Sequence, residues 1–242
     1  MRVLIISDIH ANLAAFKAVL ANTKGQWEQI WCLGDIIGYG PNPNQCVDLL
    51  RQHNHISLSG NHDWAALGKL DISSFNRVAR LAITWTKDRL TSESIDYLNK
   101  LPAHIELSLF TLAHASPRQP VWEYILDAET AAVNFDYFKT PYCLVGHTHV
   151  PVIYEASKEK HVSAHPPTYN APLQLTSNRR IINPGSVGQP RDANPDAAYA
   201  LLDTESLTWQ HKRTPYPIAE TQALMREEKM PDRLIERLTY GW

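Results

Sequence analysis

The stretch Val3-Leu4-Ile5-Ile6-Ser7-Asp8-Ile9-His10 decides the fold. Four apolar residues run without a break, three of them β-branched, and the chain then turns polar at Ser7-Asp8. A short unbroken apolar run is the pattern of a strand covered on both faces. Residues 14–21 follow as a helix. A second strand is predicted over 30–33, ending in Gly34-Asp35, and a helix over 44–53, with Val47, Leu49 and Leu50 apolar. A third strand, 55–58, ends in Ser59-Gly60-Asn61-His62. The repeated strand–loop–helix unit predicts parallel strands joined by crossover helices.

Farther along, residues 61–99 read as mostly helical, with Phe75, Val78, Leu81, Ala82 and Trp85 at helical spacing and Pro102 beyond them. Residues 104–107 and 109–113 read as a hairpin, 128–138 as a helix, and 142–145 as a strand ending at Gly146-His147. Strands are then expected over 152–155, 173–176, 180–182, 198–202 and 207–211. The tail 218–242 carries helical pattern on both sides of Pro231. Two loops are rich in turn-forming residues, 165–172 (HPPTYNAP) and 183–195 (NPGSVGQPRDANP). Loops of that size within compact domains are often functional. No repeat or linker divides the chain, so one domain over 1–242 is the simplest organisation.

With 242 residues, 44% hydrophobic and 20% charged, the chain can bury a full core without disulfides or a structural metal. A bound metal would then serve chemistry. The formal charge is −2, with no clustered Lys and Arg, so no extended nucleic-acid surface is expected. Cys32, Cys46 and Cys143 are scattered, odd in number and lack a CxxC spacing, which suits a reducing compartment. The apolar run before Asp8 is too short for a signal-peptide core, and no stretch approaches a membrane span. A cytoplasmic protein without membrane contact is expected.

Polar groups that bind metals recur where apolar strands end: Asp8 and His10, Asp35, Asn61 and His62, His114, then His147 and His149. Alone, each has an ordinary explanation as a turn, a helix cap or a packed histidine. Together they place carboxylate, amide and imidazole groups on one rim of an open α/β sheet, where ligands bind. Two carboxylates, one amide and four imidazoles exceed what one tetrahedral zinc takes. They suit two divalent transition-metal ions bridged by a carboxylate. The N/O donor set admits manganese, the first choice, and iron, zinc, cobalt or nickel.

Two divalent cations against Asp8 and Asp35 leave net positive charge, which attracts a phosphate. Metals roughly 3.5–4 Å apart support in-line displacement by a bridging hydroxide. His62 follows Asn61 but belongs to no ligand pair, so it is expected to assist the leaving oxygen, with Asp63 orienting its imidazole. Asn12 and Arg191 are expected to contact substrate, with Asn61 contributing from the metal rim. Tyr39, Trp64 and the 165–172 loop are further candidates for pocket walls.

These motifs, Asp8-Ile9-His10, Gly34-Asp35, Gly60-Asn61-His62-Asp63, His114 and Gly146-His147-Thr148-His149, resemble the calcineurin-like metallophosphoesterase superfamily. Asn183-Pro184-Gly185-Ser186-Val187-Gly188 is similar to its compact bacterial and archaeal branch. The resemblance implies a four-layer α/β sandwich, two mixed sheets packed face to face with helices outside. It implies Asp8, His10 and His149 on one metal, Asn61, His114 and His147 on the other, Asp35 bridging, and His62 as the catalytic histidine.

One departure matters. Protein phosphatases and symmetrical dinucleoside-tetraphosphate hydrolases of the superfamily carry an Arg soon after Gly-Asp. Here the residues are Ile36-Ile37-Gly38-Tyr39-Gly40-Pro41. A phosphodiesterase is therefore expected. The alternatives are a phosphomonoesterase, a nucleotide-polyphosphate hydrolase, or a metal-binding interaction module without turnover. A metallo-β-lactamase-type site is disfavoured, because Val150-Pro151 follows His147-Thr148-His149, and His-x-His-x-Asp-His needs Asp where Pro151 stands.

Overall fold

The computed structural model describes residues 1–159, 161–175 and 178–242. It opens with β1 (Arg2–Ile6), α1 (Leu13–Asn22), β2 (Gln29–Cys32), α2 (Pro43–Arg51) and β3 (His55–Ser57). The helices α3 (Asn61–Ala66), α4 (Arg77–Lys87) and α5 (Ser92–Asn99) follow, and then the hairpin β4 (His104–Leu107) and β5 (Phe110–Ala113). Next come α6 (Ala128–Asn134), continued by a 3₁₀ turn (Phe135–Tyr137), and β6 (Tyr142–Leu144). Then come β7 (Val152–Ala156), β8 (Val162–His165), β9 (Leu173–Gln174), β10 (Arg179–Asn183), β11 (Ala197–Asp203) and β12 (Thr208–Thr214). The chain closes with α7 (Ile218–Glu227) and α8 (Asp232–Tyr240).

The described strands form two mixed six-stranded sheets, β3-β2-β1-β11-β12-β9 and β4-β5-β6-β10-β7-β8. β1, β2 and β3 are parallel, as crossover connections require, while β11 joins β1 antiparallel. β8 is a strand that sequence reading assigned to no element: Val162-Ser163-Ala164-His165 has too little apolar character to stand out. The strand predicted over 173–176 is the two-residue β9, and Thr176 lies outside the described residues.

The unbroken apolar run of β1 is explained by its neighbours. Val3 and Ile5 point into the core between the sheets, against Phe110, Leu112, Tyr142 and Leu144. Leu4 and Ile6 point the other way, against Phe16, Val19, Val47 and Leu50 of α1 and α2. All four are fully buried, each contributing roughly 1.5–3 kcal/mol. β6 repeats the alternation, Tyr142 and Leu144 inward and Cys143 outward beneath Ala131, Phe135 and Phe138. The result is four layers, helix, sheet, sheet and helix. On the flank, α8 packs through Leu234, Ile235 and Leu238 against Phe75, Ala79 and Ile83.

Candidate metal centre and its borders

The carboxyl ends of β1, β2, β3, β5 and β6 meet on one rim, and their loops are laced together. Asp8 N–H donates to Gly34 O and His10 N–H to Asp35 O, both at 3.0 Å. Gly146 N–H donates to His114 O at 2.7 Å. The 183–195 loop supports this rim: Ser186 Oγ and Gly188 N–H donate to Asp8 O, and Asn183 Nδ2 donates to Gly146 O. Close approach forces glycine at two places. A Cβ on Gly146 would lie 1.9 Å from Ser7 Oγ, and one on Gly60 would lie 2.0 Å from Asp35 Oδ1.

Two groups of buried ligand atoms result, Asp8, His10 and His149 in one and Asp35, His114 and His147 in the other. Asn61 joins the second, its Oδ1 3.1 Å from His114 Nε2. Each carboxylate is divided in use. Asp8 Oδ2 accepts from His147 N–H at 3.1 Å and Asp35 Oδ1 from His62 N–H at 2.9 Å. Asp8 Oδ1 and Asp35 Oδ2 are buried without a hydrogen-bond partner. Asp35 Oδ2 lies between the groups, 3.6 Å from His10 Nε2 and 3.5 Å from His114 Nε2.

Backbone carbonyls orient the imidazoles. Nδ1 of His10, His114 and His149 faces Ile37 O, Leu33 O and Gln189 O at 3.2, 2.9 and 2.6 Å. A carbonyl only accepts, so Nδ1 carries the proton and Nε2 offers its lone pair inward. His147 is reversed, with Nε2 on Trp122 O at 3.2 Å, which frees Nδ1.

Burial governs the charges. It pushes all four imidazoles down, His149 to about 4, so they are neutral bases ready to ligate. Burial, then Asp63 and Asp8, pushes the Asp35 carboxyl well up. Burial acts most strongly on Asp8, and upward, but His149, His114 and His10 together outweigh it and hold this carboxyl low. Orphaned carboxylate oxygens facing converging lone pairs need cations, and N/O donors without thiolate fit divalent transition metals.

His62 lies beside both groups, its ring 5.0 Å from that of His10 and 4.3 Å from that of Tyr39. Asp63 does not orient it. The Asp63 carboxylate accepts from the backbone N–H groups of Gly60, Ile37 and Ile36, which locks the start of α3 to the loop after β2. Burial raises this carboxyl to about 6 against those bonds, and His62 Nδ1 has no partner. Asn12 is also not a substrate contact. It is 1% exposed and caps α1 through Ala15 N–H. Its amide also donates to Gly188 O and Tyr216 Oη and accepts from Thr221 Oγ1.

Arg191 does border the site, and sequence reading missed its company. With Arg77, Arg233, Arg237, Tyr39 and Tyr124 it lines a cleft of about 560 Å³. No local sequence signal joins these arginines, which come from α4, a loop and α8. Tyr124 stacks on His147 with ring centroids 3.8 Å apart. Trp64 is not part of this wall, and the 165–172 loop lines a separate cavity with Arg180 and Trp209.

The family model described as the calcineurin-like phosphoesterase superfamily domain matches residues 1–207, which include all seven clustered groups. The chain belongs to this superfamily. A metallophosphoesterase from Sphaerobacter thermophilus is similar in structure, with a TM-score of 0.91, 48% identity, and coverage of 100% of this chain and 99% of that one. An uncharacterized protein of Methanocaldococcus jannaschii is 38% identical over 244 residues, spanning 98% of this chain and 97% of its own. A hypothetical protein from Pyrococcus horikoshii shares the fold, with a TM-score of 0.81, 20% identity, and 100% and 98% coverage. The superfamily is metal-dependent. No described helix of this member is long and apolar enough to cross a membrane.

Proposed function

We propose that the protein hydrolyses phosphate esters with two divalent cations, one in each ligand group and Asp35 between them. The observation that carries this reading is the pair of unpartnered buried oxygens, Asp8 Oδ1 and Asp35 Oδ2, among inward-facing imidazole lone pairs. Asp8, His10 and His149 would hold one ion, and Asn61, His114 and His147 the other. Manganese is the proposed metal. When bound, the pair supplies Lewis-acid polarisation of a phosphoryl oxygen and lowers the pKa of water.

The chain's own residues supply the rest. The histidines, oriented by their backbone anchors, and Asn61 Oδ1 beside His114 fix the reacting geometry. His62 stands against Tyr39 at the edge of the cleft, where it assists the leaving oxygen. Burial, then Arg191 and His149, pushes its imidazole well below the usual range, so the free protein holds it neutral. A neutral ring still offers one N–H to a developing alkoxide.

The absence of an Arg after Asp35 favours a diester only if no other cation reaches the substrate. Arg77, Arg191, Arg233 and Arg237 border the site from other segments. Monoesters and diesters both belong to the proposal, with small phosphate esters or nucleotides as substrates. A cytoplasmic setting belongs to it as well, supported by three free, buried cysteines.

The test is turnover of a chromogenic phosphate monoester and of a diester by manganese-loaded protein. Cleavage of either, lost on chelation and restored by metal, is expected. Full metal loading with neither cleaved would favour the interaction module.

A further inference from the structure

The arginine-lined cleft has a charge pattern that the metal centre does not explain. No carboxylate side chain among the described residues lines it. Among the described residues, none of Arg77, Arg191, Arg233 and Arg237 forms an ion pair with an acidic side chain. Arg191 spends one amino group on Gln189 Oε1 at 2.8 Å, while its buried Nε has no partner. Arg237 donates Nε to Trp242 O. Arg233 and Arg237 are four apart on α8, on one face, where like charges repel. Burial, then Arg191, draws the Arg237 guanidinium down to about 10. A fold that gathers four cations with no acidic side chain paired to them is arranged for an anion from outside.

The cleft adjoins the metal groups through two shared rings. Tyr39 packs on His10 at 4.7 Å and on His62 at 4.3 Å, and Arg191 lies 5.8 Å over the same ring. Tyr124 packs on His147. A phosphoryl group at the metal ligands would therefore have the rest of its molecule in the cleft. About 560 Å³ is room for a substituent of nucleotide size. Arg233 and Arg237 lie beyond residue 207, where the superfamily match ends.

We propose that the cleft binds a second phosphate of the substrate, so that the preferred substrate is a phosphate ester carrying at least one further phosphate, in a polyphosphate chain or on a bisphosphate skeleton. The proposal builds on the phosphoesterase reading and names its substrate class. One phosphate meets the ligand groups of Asp8 and Asp35. The next is held by guanidinium groups, which match phosphate oxygens in bidentate fashion.

Calorimetric titration of the chelator-treated full chain tests the cleft without turnover, with inorganic triphosphate and orthophosphate as probes. Triphosphate is expected to bind at least about tenfold more tightly than orthophosphate. Arg77→Ala/Arg233→Ala, two exposed positions on helix surfaces, should remove most of that preference, while Arg226→Ala on α7 should keep it. Equal affinity for the two probes, or an unchanged preference in the double variant, overturns the proposal. Adenosine triphosphate bound more tightly than a hexose bisphosphate assigns the polyphosphate source, and the reverse assigns the bisphosphate; neither bound above orthophosphate overturns the proposal. Turnover of the chromogenic esters by manganese-loaded wild type is scored separately. If it occurs without triphosphate preference, this inference alone fails. If it is absent while the preference holds, the phosphoesterase reading alone fails.

Discussion

His10 and His149 face each other with their Nε2 atoms 3.0 Å apart, while each Nδ1 is turned to a backbone carbonyl. Both Nε2 atoms thus present lone pairs, and burial opposes protonating either ring. Only a cation between them turns that contact into a bond. Bound metal should therefore stabilise the fold. At 100- to 1,000-fold excess over its Kd a ligand adds about 3–4 kcal/mol. Chelation should lower Tm by roughly 5–15 °C for a chain of this size. Thermal unfolding with and without a chelator checks this, and an unchanged Tm would contradict it.

Asp35→Asn keeps an oxygen for the His62 N–H bond but removes the charge between the two ligand groups. The variant should fold, bind less metal and lose on the order of 10³-fold in turnover. Circular dichroism, metal content and rate, measured on one preparation, separate these outcomes.

His62→Ala should retain its metal, because His62 is in neither ligand group. Its loss should reach roughly 10²–10⁴-fold for esters with poor leaving groups and be smaller for nitrophenolate. A rate series across leaving-group pKa values checks this. An equal loss throughout would show that His62 acts on something other than the leaving oxygen.

His211 offers a pH test away from the metal ligands. It accepts from Trp209 Nε1 at Nδ1 and faces Asn183 O through Nε2, which makes it a buried neutral ring. Burial lowers it to about 4 from the usual imidazole value of about 6.5. The unfolded chain takes up this proton first as pH falls below 6.5, so stability is lost down to about pH 4 and is fully present above 6.5. The loss by pH 5 is about 2 kcal/mol. Urea unfolding at pH 7 and pH 5 should show that much less pH dependence in His211→Gln.

Much of this architecture is legible in the sequence, because burial on two faces leaves a plain mark. Val3–Ile6 reads as a doubly covered strand, and polar residues at successive strand ends read as one rim. Other features leave no such mark. Asn12 follows a ligand pair yet is consumed by cap and tail contacts, one of them with Thr221, 209 residues away. Asp63 looks like a partner for its neighbour, but helix geometry turns it to the backbone of Gly60 and Ile37. Arg77, Arg191, Arg233 and Arg237 converge because α8 shares an apolar cluster with α4 while its C-terminal end meets the 183–195 loop through Ala193 and Gly241. Asp8, His10, Asp35, His147 and His149 all adopt positive φ, between 47° and 65°. None is glycine, so composition does not announce a strain of about 1–2 kcal/mol at each.

Titration of metal-free protein with Mn²⁺, following bound metal and diester or monoester hydrolysis together, tests the central claim most directly. The two ligand groups predict two ions per chain, with turnover appearing as the second site fills. Full turnover with one ion bound, or with none, would contradict it.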